Sequence, residues 1–518
     1  MRQALFGLPL ALMCALTCVG SEAGAASSSL PAEITSIMDK PRYLRASWSL
    51  LVTDLKSGRS VYELNPDRMA FTGSVRKLFS VGVALNKLGA DHRFRTPVYR
   101  QGSIDAQGVL EGNLILVAAG DLTLGGRKTS NGGIAFTNFD HNDANNLGTA
   151  ILTPQNPLSG LEELARQVRS SGIRNVNGDV IVDTRLFDSY RVPNGNLLIT
   201  PMMVNENLVD VWVTSTTAGK TARIDWRPRT AAFHVGGSVK TVPAGTPAAI
   251  TLSGNGTVAG DIPIGYKAPL SGSPTFVGTF RIEDPASYAR IAFVQALARA
   301  GVIVRSPTTA NNAPEKLPER SSYNNETRVA ELVSPPYSEY AKLILKVSLN
   351  LGANLSLTLF GLTEGQRTIP DALAAERRTL VDQMGINADE FDFPTNGSGS
   401  PDSRAAPRAT VKMLAEMSKR PTYKAYRAAL PILGVDGSLA GSGLALPAKK
   451  HVFAKTGTTI SDGELKAQVL AGYIDAKSGK QLAYALYVNN GGTLKSIADV
   501  TDVFEDEAEI SNIIYESN

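Results

Sequence analysis

The sequence predicts an α+β fold in which a long β-rich region interrupts two helical parts. Three observations support this fold class. A helical pattern follows residue 72, short strand-like runs with many Gly, Asn, Thr and Pro residues fill positions 92–325, and helical patterns return from residue 335 before a final pair of strands. The chain has 518 residues, a length that indicates more than one domain.

The N-terminus has the pattern of a secretion signal. Arg2 is followed by an apolar run, and Ala23-Gly24-Ala25 is a small-x-small cleavage pattern. The run is shorter than the roughly 20 apolar residues of a membrane-spanning helix. We therefore expect residues 1–25 to be a signal peptide, and the exported protein to have no integral membrane anchor. A retained N-terminal anchor is the alternative.

The composition excludes several kinds of site. Both cysteines, Cys14 and Cys18, lie in the leader, so the mature chain offers no disulfide, cysteine nucleophile or thiolate metal ligand. The histidines are isolated, and we expect them on the surface or in loops, with no metal site and no cofactor; they are His92, His141, His234 and His451. The formal net charge of +4 is small for this length and does not indicate nucleic-acid binding.

The first element predicted after the leader is a β-hairpin over residues 46–65, with its turn at Lys56-Ser57-Gly58. Apolar and polar residues alternate along it, which is typical of half-buried strands. A helix follows, which begins at Thr72 or Gly73 and ends near Gly89.

The interrupting region contains strand patterns and two amphipathic helix patterns. Its predicted elements are strands at 110–120 and 178–183, a helix at 158–172, further strands within 205–280 and a helix at 284–301. The polar, Pro-rich residues 306–326 predict a linker. Helices dominate again from residue 335, and a strand pair at 469–475 and 481–488 follows them.

The candidate nucleophile is Ser74, three residues before Lys77 at the head of the first helix, so that the two side chains share a face. Apolar surroundings lower the pKa of a lysine and favour its free amine. A free amine can take the serine proton and activate the hydroxyl. The alternative is a lysine whose stem merely covers the helix. S-x-x-K occurs once, and no G-x-S-x-G, Walker A or G-x-G-x-x-G pattern offers another activator or a nucleotide site.

A second motif, K-T-G, also occurs once, within Lys455-Thr456-Gly457-Thr458. On an edge strand, a lysine and two threonines can bind a carboxylate, and a glycine lets a substrate backbone approach closely. Lysine and threonines on a solvated strand are the alternative interpretation.

A third motif, S-x-N, matches at three places. Ser253-Gly254-Asn255 and Ser322-Tyr323-Asn324 fall in polar loops, whereas Ser348-Leu349-Asn350 falls within a helical pattern. Ser348 can relay a proton to a leaving amine, and Asn350 can hold both Lys77 and a substrate amide. The order S-x-x-K, S-x-N, K-T-G is more specific than any one motif.

With these motifs, the chain resembles the penicillin-binding serine D-alanyl-D-alanine carboxypeptidases, in particular the low-molecular-mass class C type that also acts as an endopeptidase. The likeness covers most of the mature chain. Further stretches carry it: G-N-L-I-L-V-A-A-G-D-L-T-L at 112–124, G-I-R-N-V-N-G-D-V-I-V-D-T-R-L-F-D at 172–188 and L-P-I-L-G-V-D-G-S-L at 430–439. Two positions depart from the pattern of the class, because Leu349 and Asn396 stand where aspartate is usual.

The resemblance implies a penicillin-binding transpeptidase-like catalytic domain, with an antiparallel sheet flanked by helices, and two nested, β-rich inserted domains. The implied boundaries are 26–91 and 326–518 for the catalytic domain, 92–190 and 277–325 for the first insertion, and 191–276 for the innermost domain. The resemblance implies catalysis by Ser74, Lys77, Ser348 and Asn350, and substrate binding by Lys455, Thr456, Gly457 and Thr458.

The implied activity is hydrolysis of peptidoglycan stem peptides and cross-links through an acyl-enzyme, with covalent inhibition by β-lactams. Asp121 matches a position of the class that faces the substrate side chain, although an aspartate that caps a turn in G-D-L-T is an equal alternative. The alternative functions are a β-lactamase, which would need a base such as Glu364, Glu376 or Glu390, and a catalytically idle wall-binding protein.

Overall fold

The computed structural model describes residues 29–141, 148–254 and 256–518. The predicted signal peptide, with Cys14 and Cys18, and Asn255 of one S-x-N match lie outside the described residues. Among the helices that are described, none is long and apolar enough to cross a membrane.

The helices occupy both ends of the described chain and two positions within the β-rich region. They are α1 (Ala32–Met38), α2 (Lys77–Leu88), α3 (Ser159–Ser170), α4 (Pro285–Arg299), α5 (Tyr337–Lys346), α6 (Asn350–Thr363), α7 (Ile369–Arg378), α8 (Pro407–Ser418), α9 (Tyr423–Ala428) and α10 (Ile497–Glu516).

The strands are β1 (Ser47–Asp54), β2 (Ser60–Leu64), β3 (Ala70–Phe71), β4 (Arg93–Ile104), β5 (Val109–Val117), β6 (Asn175–Val176), β7 (Val180–Asp183), β8 (Tyr190–Val192), β9 (Leu197–Ile199), β10 (Leu208–Thr214), β11 (Arg223–Arg227), β12 (Gly236–Val242), β13 (Ala249–Ser253), β14 (Thr257–Pro263), β15 (Phe276–Arg281), β16 (Ile303–Val304), β17 (Arg328–Pro336), β18 (Phe391–Asp392), β19 (Arg404–Ala405), β20 (Val452–Ser461), β21 (Glu464–Asp475) and β22 (Gln481–Thr493).

The central sheet is antiparallel, with the strand order β2-β1-β22-β21-β20. The predicted hairpin therefore pairs with the C-terminal strands, and the K-T-G strand β20 is at an edge, as expected. Helices α1 and α10 cover one face of this sheet, where Leu50 and Leu486 pack. Helix α8 packs on the other face, and Leu51 and Val469 of that face share a hydrophobic core with α2, α5 and α6.

Burial of β1 differs from the prediction of half-buried strands. Trp48 through Val52 are all buried, because helices pack on both faces of the sheet at this strand. The alternation in the sequence correctly indicated one buried face. It did not reveal the second, which Leu51 fills.

The β-rich region forms a separate core beneath α3 and α4. Its largest sheet has the order β16-β6-β5-β4-β17, with β7 paired to β5, and two three-stranded sheets have the orders β11-β10-β15 and β12-β14-β13. Strand β17 pairs with β4, so this sheet continues past residue 325, where the sequence predicted a domain boundary.

The predicted linker at 306–326 is not a free connection. The buried guanidinium of Arg290 on α4 donates to the carbonyl oxygens of Pro307, Thr308 and Ala310 at 2.7–3.1 Å. Polar, Pro-rich composition indicated the lack of regular structure correctly, but these contacts hold the segment against α4.

Candidate active site

Ser74 lies in a 3₁₀ turn, Gly73–Arg76, that leads directly into α2. Lys77 is the first residue of that helix, and its side chain is fully buried. The turn preserves the predicted spacing: Lys77 Nζ lies 2.7 Å from Ser74 Oγ. The two side chains therefore meet as the motif predicted, although only the lysine belongs to the α-helix.

The Lys77 amine has two further partners besides Ser74. Its Nζ lies 2.7 Å from Asn350 Oδ1 and 3.0 Å from the carbonyl oxygen of Ser398. A neutral amine has two N–H donors and one lone pair. Both donors can be used by these two obligate acceptors, which leaves the lone pair for the hydroxyl of Ser74.

The pKa of Lys77 is lowered well below its usual value, first by burial and then by the positive charges of Lys455 and Arg76. Arg76 is itself held by a buried ion pair with Glu376 and stacks on Phe393. The free amine predicted from the apolar sequence is thus supported by the tertiary surroundings.

Ser348 differs from its predicted setting. The sequence around it has helical periodicity, but α5 ends at Lys346 and α6 begins at Asn350, and Ser348 lies between them with φ of +62°. A residue in this left-handed conformation cannot continue a helix. The break turns the Ser348 hydroxyl toward the edge strand, where its oxygen accepts from Lys455 Nζ at 2.9 Å.

The segment Asn396–Gly399 was noted in the sequence only as a departure from a motif, and it supplies a part of the site. The Asn396 side chain accepts from the backbone N–H groups of Ser398 and Gly399, and this tight turn aims the Ser398 carbonyl at Lys77. Asn354, one helical turn after Asn350, donates to the Ser398 hydroxyl at 3.1 Å. No local pattern indicates a backbone carbonyl as a partner of lysine.

Strand β20 packs directly against the Ser74 turn at Gly457. A Cβ on Gly457 would lie 2.3 Å from the Thr72 carbonyl oxygen and 3.0 Å from Ser74 N. The sequence assigned this glycine to the approach of a substrate backbone, which stays a prediction, and the structure gives a further reason for it. The Ser74 turn packs where a side chain would lie, which brings the backbone N–H groups of Ser74 and Thr458 to the same end of the site.

Lys455 is fully buried, and burial lowers its pKa to about 7. A lysine that binds a carboxylate is most effective when charged, and burial makes that charge less favourable. A carboxylate within a few ångströms favours the ammonium form and would raise this pKa again.

Thr456 and Thr458, the two threonines of the K-T-G-T segment, have protein partners and also line a cleft. Thr456 Oγ1 lies 2.8 Å from the Ser438 hydroxyl, and Thr458 Oγ1 lies 2.9 Å from Gln468 Oε1. Both threonines line a cleft of about 450 Å³ that opens above Ser74. Ser348 and Asn350 line it too, so the three predicted motifs meet in one place.

The β-rich region also contributes to this cleft. Asn138, Phe139, Asn194 and Leu270 line it from positions far from the motifs in sequence. Opposite them, α10 contributes Ile497, Val500 and Phe504. None of these residues stands out in the sequence, because single polar or apolar side chains outside a motif give no pattern.

The remaining S-x-N matches lie elsewhere. Ser322 and Asn324 are in an exposed loop where their polar atoms bond within the loop, and Ser253-Gly254 is at the end of β13. Neither place adjoins the cleft.

Asp121 also lies apart from the cleft. Its Oδ1 accepts hydrogen bonds from Thr123 N, Leu124 N and the Tyr340 hydroxyl. These bonds favour the turn-capping interpretation of Asp121.

His141 contradicts the expectation of surface histidines, because it is buried among carboxylates. Its Nδ1 lies 2.9 Å from Asp140 and its Nε2 lies 3.1 Å from Asp210. Burial lowers the pKa of His141, but Asp210 and Glu206 outweigh this effect and raise it to about 9. Arg127 pairs with Asp140 and Glu206 in the same cluster.

Among the described residues, no group of three or more His, Cys, Asp and Glu side chains could hold a metal ion.

Comparisons with known proteins agree with the geometry. The family model of the D-Ala-D-Ala carboxypeptidase 3 (S13) family matches residues 30–508. A D-alanyl-D-alanine carboxypeptidase of Actinomadura sp. (strain R39) is 25% identical over 513 residues, which covers 93% of this chain and 85% of that protein. The D-alanyl-D-alanine carboxypeptidase DacB of Haemophilus influenzae is 22% identical over 497 residues and covers 90% of each chain.

The fold is also that of a solved structure. The crystal structure of penicillin binding protein 4 from Haemophilus influenzae is 19% identical, with a TM-score of 0.66, over 94% of this chain and 99% of that one. This likeness confirms the predicted α+β fold class. Because the family model covers nearly the whole described chain, the protein belongs to the D-Ala-D-Ala carboxypeptidase 3 (S13) family.

Proposed function

We propose that this hydrolase is a serine-type D-Ala-D-Ala carboxypeptidase and D,D-endopeptidase that acts on peptidoglycan stem peptides and cross-links. One observation carries the proposal: the buried Lys77 amine lies 2.7 Å from both Ser74 Oγ and Asn350 Oδ1. A buried, neutral lysine in contact with a serine hydroxyl is a base suited to activate it.

In the proposed acylation step, Lys77 takes the Ser74 proton while Ser74 Oγ attacks the carbonyl carbon of the penultimate D-Ala. The developing oxyanion accepts from the backbone N–H groups of Ser74 and Thr458, which the packing of β20 on the nucleophile turn brings together. The C–N bond then breaks. Ser348, within 2.9 Å of Lys455 Nζ, relays a proton to the leaving amine, and water later hydrolyses the acyl-enzyme.

Substrate binding in this proposal depends on charge at Lys455. The terminal carboxylate of a D-Ala-D-Ala peptide would lie against Lys455, Thr456 and Thr458, and it would restore the charge that burial disfavours. Asn350 holds Lys77 and can also form a hydrogen bond with the substrate amide. The carboxylate of a β-lactam can occupy the same place, and its ring carbonyl can acylate Ser74.

The direct test is covalent labelling. We expect Ser74→Ala to abolish labelling by a fluorescent penicillin, because the attacking oxygen is removed, and to leave the thermal unfolding temperature close to that of the wild type. Ser80→Ala is a matched control, since Ser80 is a buried serine of α2 that bonds to the Gly397 carbonyl and does not line the cleft. Labelling that persists in Ser74→Ala would identify a different nucleophile.

A β-lactamase is the alternative enzyme, and the three glutamates considered for its base do not support it. Glu376 is paired with Arg76 and Glu364 with Lys87. None of the three, Glu390 included, is among the described residues that line the cleft. We therefore expect a penicillin acyl-enzyme that lasts for hours, whereas a lifetime of milliseconds would favour the β-lactamase.

Digestion of purified cell wall distinguishes the two peptidase activities and the idle wall-binding protein. Release of D-Ala alone indicates a carboxypeptidase, separation of cross-linked peptides indicates an endopeptidase, and absence of any product indicates an idle protein. We also propose that the protein is exported. Its proposed substrate, peptidoglycan, lies outside the cytoplasm, and the leader pattern at residues 1–25 fits this location.

A further inference from the structure

A buried carboxyl group lies behind the K-T-G strand and has no part in the mechanism proposed above. Glu507 on α10 is fully buried, and within the described part of the chain neither of its carboxyl oxygens meets a donor or acceptor at hydrogen-bond geometry. Burial raises the pKa of Glu507 well above its usual value, the nearby amide of Gln468 opposes this shift, and the charge of Asp506 adds to it. At neutral pH the group is therefore a carboxylic acid with one O–H donor.

The position of Glu507 connects it to the cleft. Val500, Phe504 and Glu507 are spaced by four and three residues, so they share one face of α10, and the first two line the cleft. On β21, the fully buried Gln468 lies opposite Thr458 in the strand register. The Glu507 carboxyl faces the side chain of this glutamine.

The hydrogen bonds of Gln468 are incomplete without Glu507. Gln468 Oε1 lies 2.9 Å from Thr458 Oγ1, and Gln468 Nε2 is buried with no hydrogen-bond partner among the residues that the structure describes. A buried amide donor and a buried carboxyl that each lack a partner are costly apart, and they complement each other when the side chains meet.

We propose that neutral Glu507 orients the Thr458 hydroxyl through Gln468, so that this hydroxyl donates to the substrate carboxylate. Glu507 is thus a positioning residue. The proposal rests on the function proposed above, in which a carboxylate binds at Lys455, Thr456 and Thr458.

The hydrogen-bond series formed by Glu507, Gln468 and Thr458 has two possible arrangements, because a primary amide can rotate by 180° and exchange its oxygen and nitrogen. With a neutral acid, the O–H of Glu507 donates to Gln468 Oε1, Gln468 Nε2 donates to Thr458 Oγ1, and the Thr458 proton is free for the substrate. With an ionised acid, Glu507 accepts from Gln468 Nε2, and the Thr458 proton is held by Gln468 Oε1. Only the first arrangement offers a donor to an anion, and it exchanges the amide oxygen and nitrogen relative to the placement in which Thr458 Oγ1 donates to Gln468 Oε1.

The other titratable groups around Glu507 keep the neutral form favourable. Asp506 is next to it on α10 and pairs with Lys40 and with the hydroxyl of Tyr43 from the segment after α1. From β22, Tyr484 bonds to Ser511 one turn further along α10. Lys40 is the cation among these groups, and its ammonium already contacts Asp506 at 2.5 Å.

A double-mutant cycle tests the coupling. We expect Glu507→Leu to lower the rate of acylation by a fluorescent penicillin about tenfold, the effect of one lost bond to a charged group. In a Thr458→Val background, which has no hydroxyl to orient, the same substitution should change the rate by less than about twofold. Equal losses in both backgrounds would mean that Glu507 acts only on stability, and would overturn the proposal.

The pH profile of acylation provides a second test, which decides the matter should Glu507→Leu fail to fold. Glu507→Gln keeps the shape and always has an N–H for Gln468 Oε1, so it should retain the neutral-pH rate and decline less at alkaline pH than the wild type. Glu509→Gln, a half-exposed position of the same helix, should follow the wild-type profile. Superimposable profiles of Glu507→Gln and the wild type would overturn the proposal. A wild-type enzyme that never acylates would instead overturn the proposed function.

Discussion

Two buried lysines define the site at the scale of single residues, and their surroundings give them different tasks. Lys77 contacts a hydroxyl, an amide oxygen and a carbonyl oxygen. Lys455 contacts the Ser348 hydroxyl and the carbonyl oxygen of its neighbour Thr456, two residues that line the cleft. The surroundings of Lys77 suit a base. The surroundings of Lys455 suit a cation whose charged form a bound anion would favour.

Arginine substitutions separate these tasks. Lys77→Arg keeps the charge but cannot provide a free amine, since a guanidinium does not deprotonate in proteins. We expect it to lower the rate of penicillin acylation on the order of 10³-fold or more. Lys455→Arg can still pair with a carboxylate, so it should retain part of the acylation, with weaker apparent binding. Equal acylation rates in the two variants would show that Lys77 is not the base.

Asp121 is the residue for which the structure favours one of two interpretations. Its side chain is 3% exposed, and Oδ1 accepts two turn N–H groups and the Tyr340 hydroxyl. We expect Asp121→Asn to lower the free energy of unfolding by about 1 kcal/mol, the value of one weakened bond. The ratio of kcat/KM for peptides with cationic and with uncharged third residues should stay constant. A selective loss on the cationic peptide would restore the role in substrate recognition.

At the scale of elements, the decisive contact is that between β20 and the Ser74 turn. Helices α5 and α6 approach from the other side, and the break between them at Ser348 turns a hydroxyl to Lys455. The site is therefore built where a strand, a turn and a helix break meet. Its geometry depends on how closely their backbones approach.

Gly457→Ala tests this approach. The added Cβ would lie 2.3 Å from the Thr72 carbonyl oxygen, and the atoms that it meets are all backbone, which cannot move aside as a flexible side chain can. We expect penicillin labelling to fall by more than about tenfold, because a shift of one ångström at the site is costly. Gly441→Ala is the control, since a Cβ there meets no atom within 4 Å. Normal labelling of Gly457→Ala would mean that the close packing is not required.

At the scale of the whole molecule, the β-rich region and the helical part share one cleft. Asn138 lines it and accepts from the backbone N–H of Gly437, across 299 residues of sequence. Directly behind Asn138, the cluster of Arg127, Asp140, His141 and Glu206 fixes the same segment. The cluster thus connects the stability of the β-rich region to the shape of the cleft.

His141 gives this cluster a measurable pH dependence. Its pKa in the folded protein, about 9, exceeds its ordinary value near 6.5, so its contribution is fully present below about pH 6.5 and is lost as the pH rises through 9. We expect a contribution of about 3 kcal/mol. Unfolding by urea at pH 6 and pH 9.5 measures it as the difference between wild type and His141→Gln. A difference that does not change with pH would contradict the charged histidine.

Local signals in the sequence were sufficient to predict several parts of the protein. Hydrophobic periodicity and turn residues indicated the hairpin, α2, α3, α4 and the final strands, and three short motifs singled out the residues that meet in the cleft. The apolar run around Lys77 also predicted a lowered pKa, because the burial that causes it follows from neighbouring residues on the same helix.

Contacts between distant segments could not be predicted from local patterns. The carbonyl of Ser398 at Lys77 and the contact of the buried His141 with Asp210 join residues far apart in sequence, and the helix break at Ser348 places its hydroxyl at Lys455 of another element. Periodicity reports which face of an element is apolar, but not which backbone or charge will lie against it. Those partners are set by the packing of whole elements, and with them the pKa of Lys455, the reason for Gly457 and the shape of the cleft.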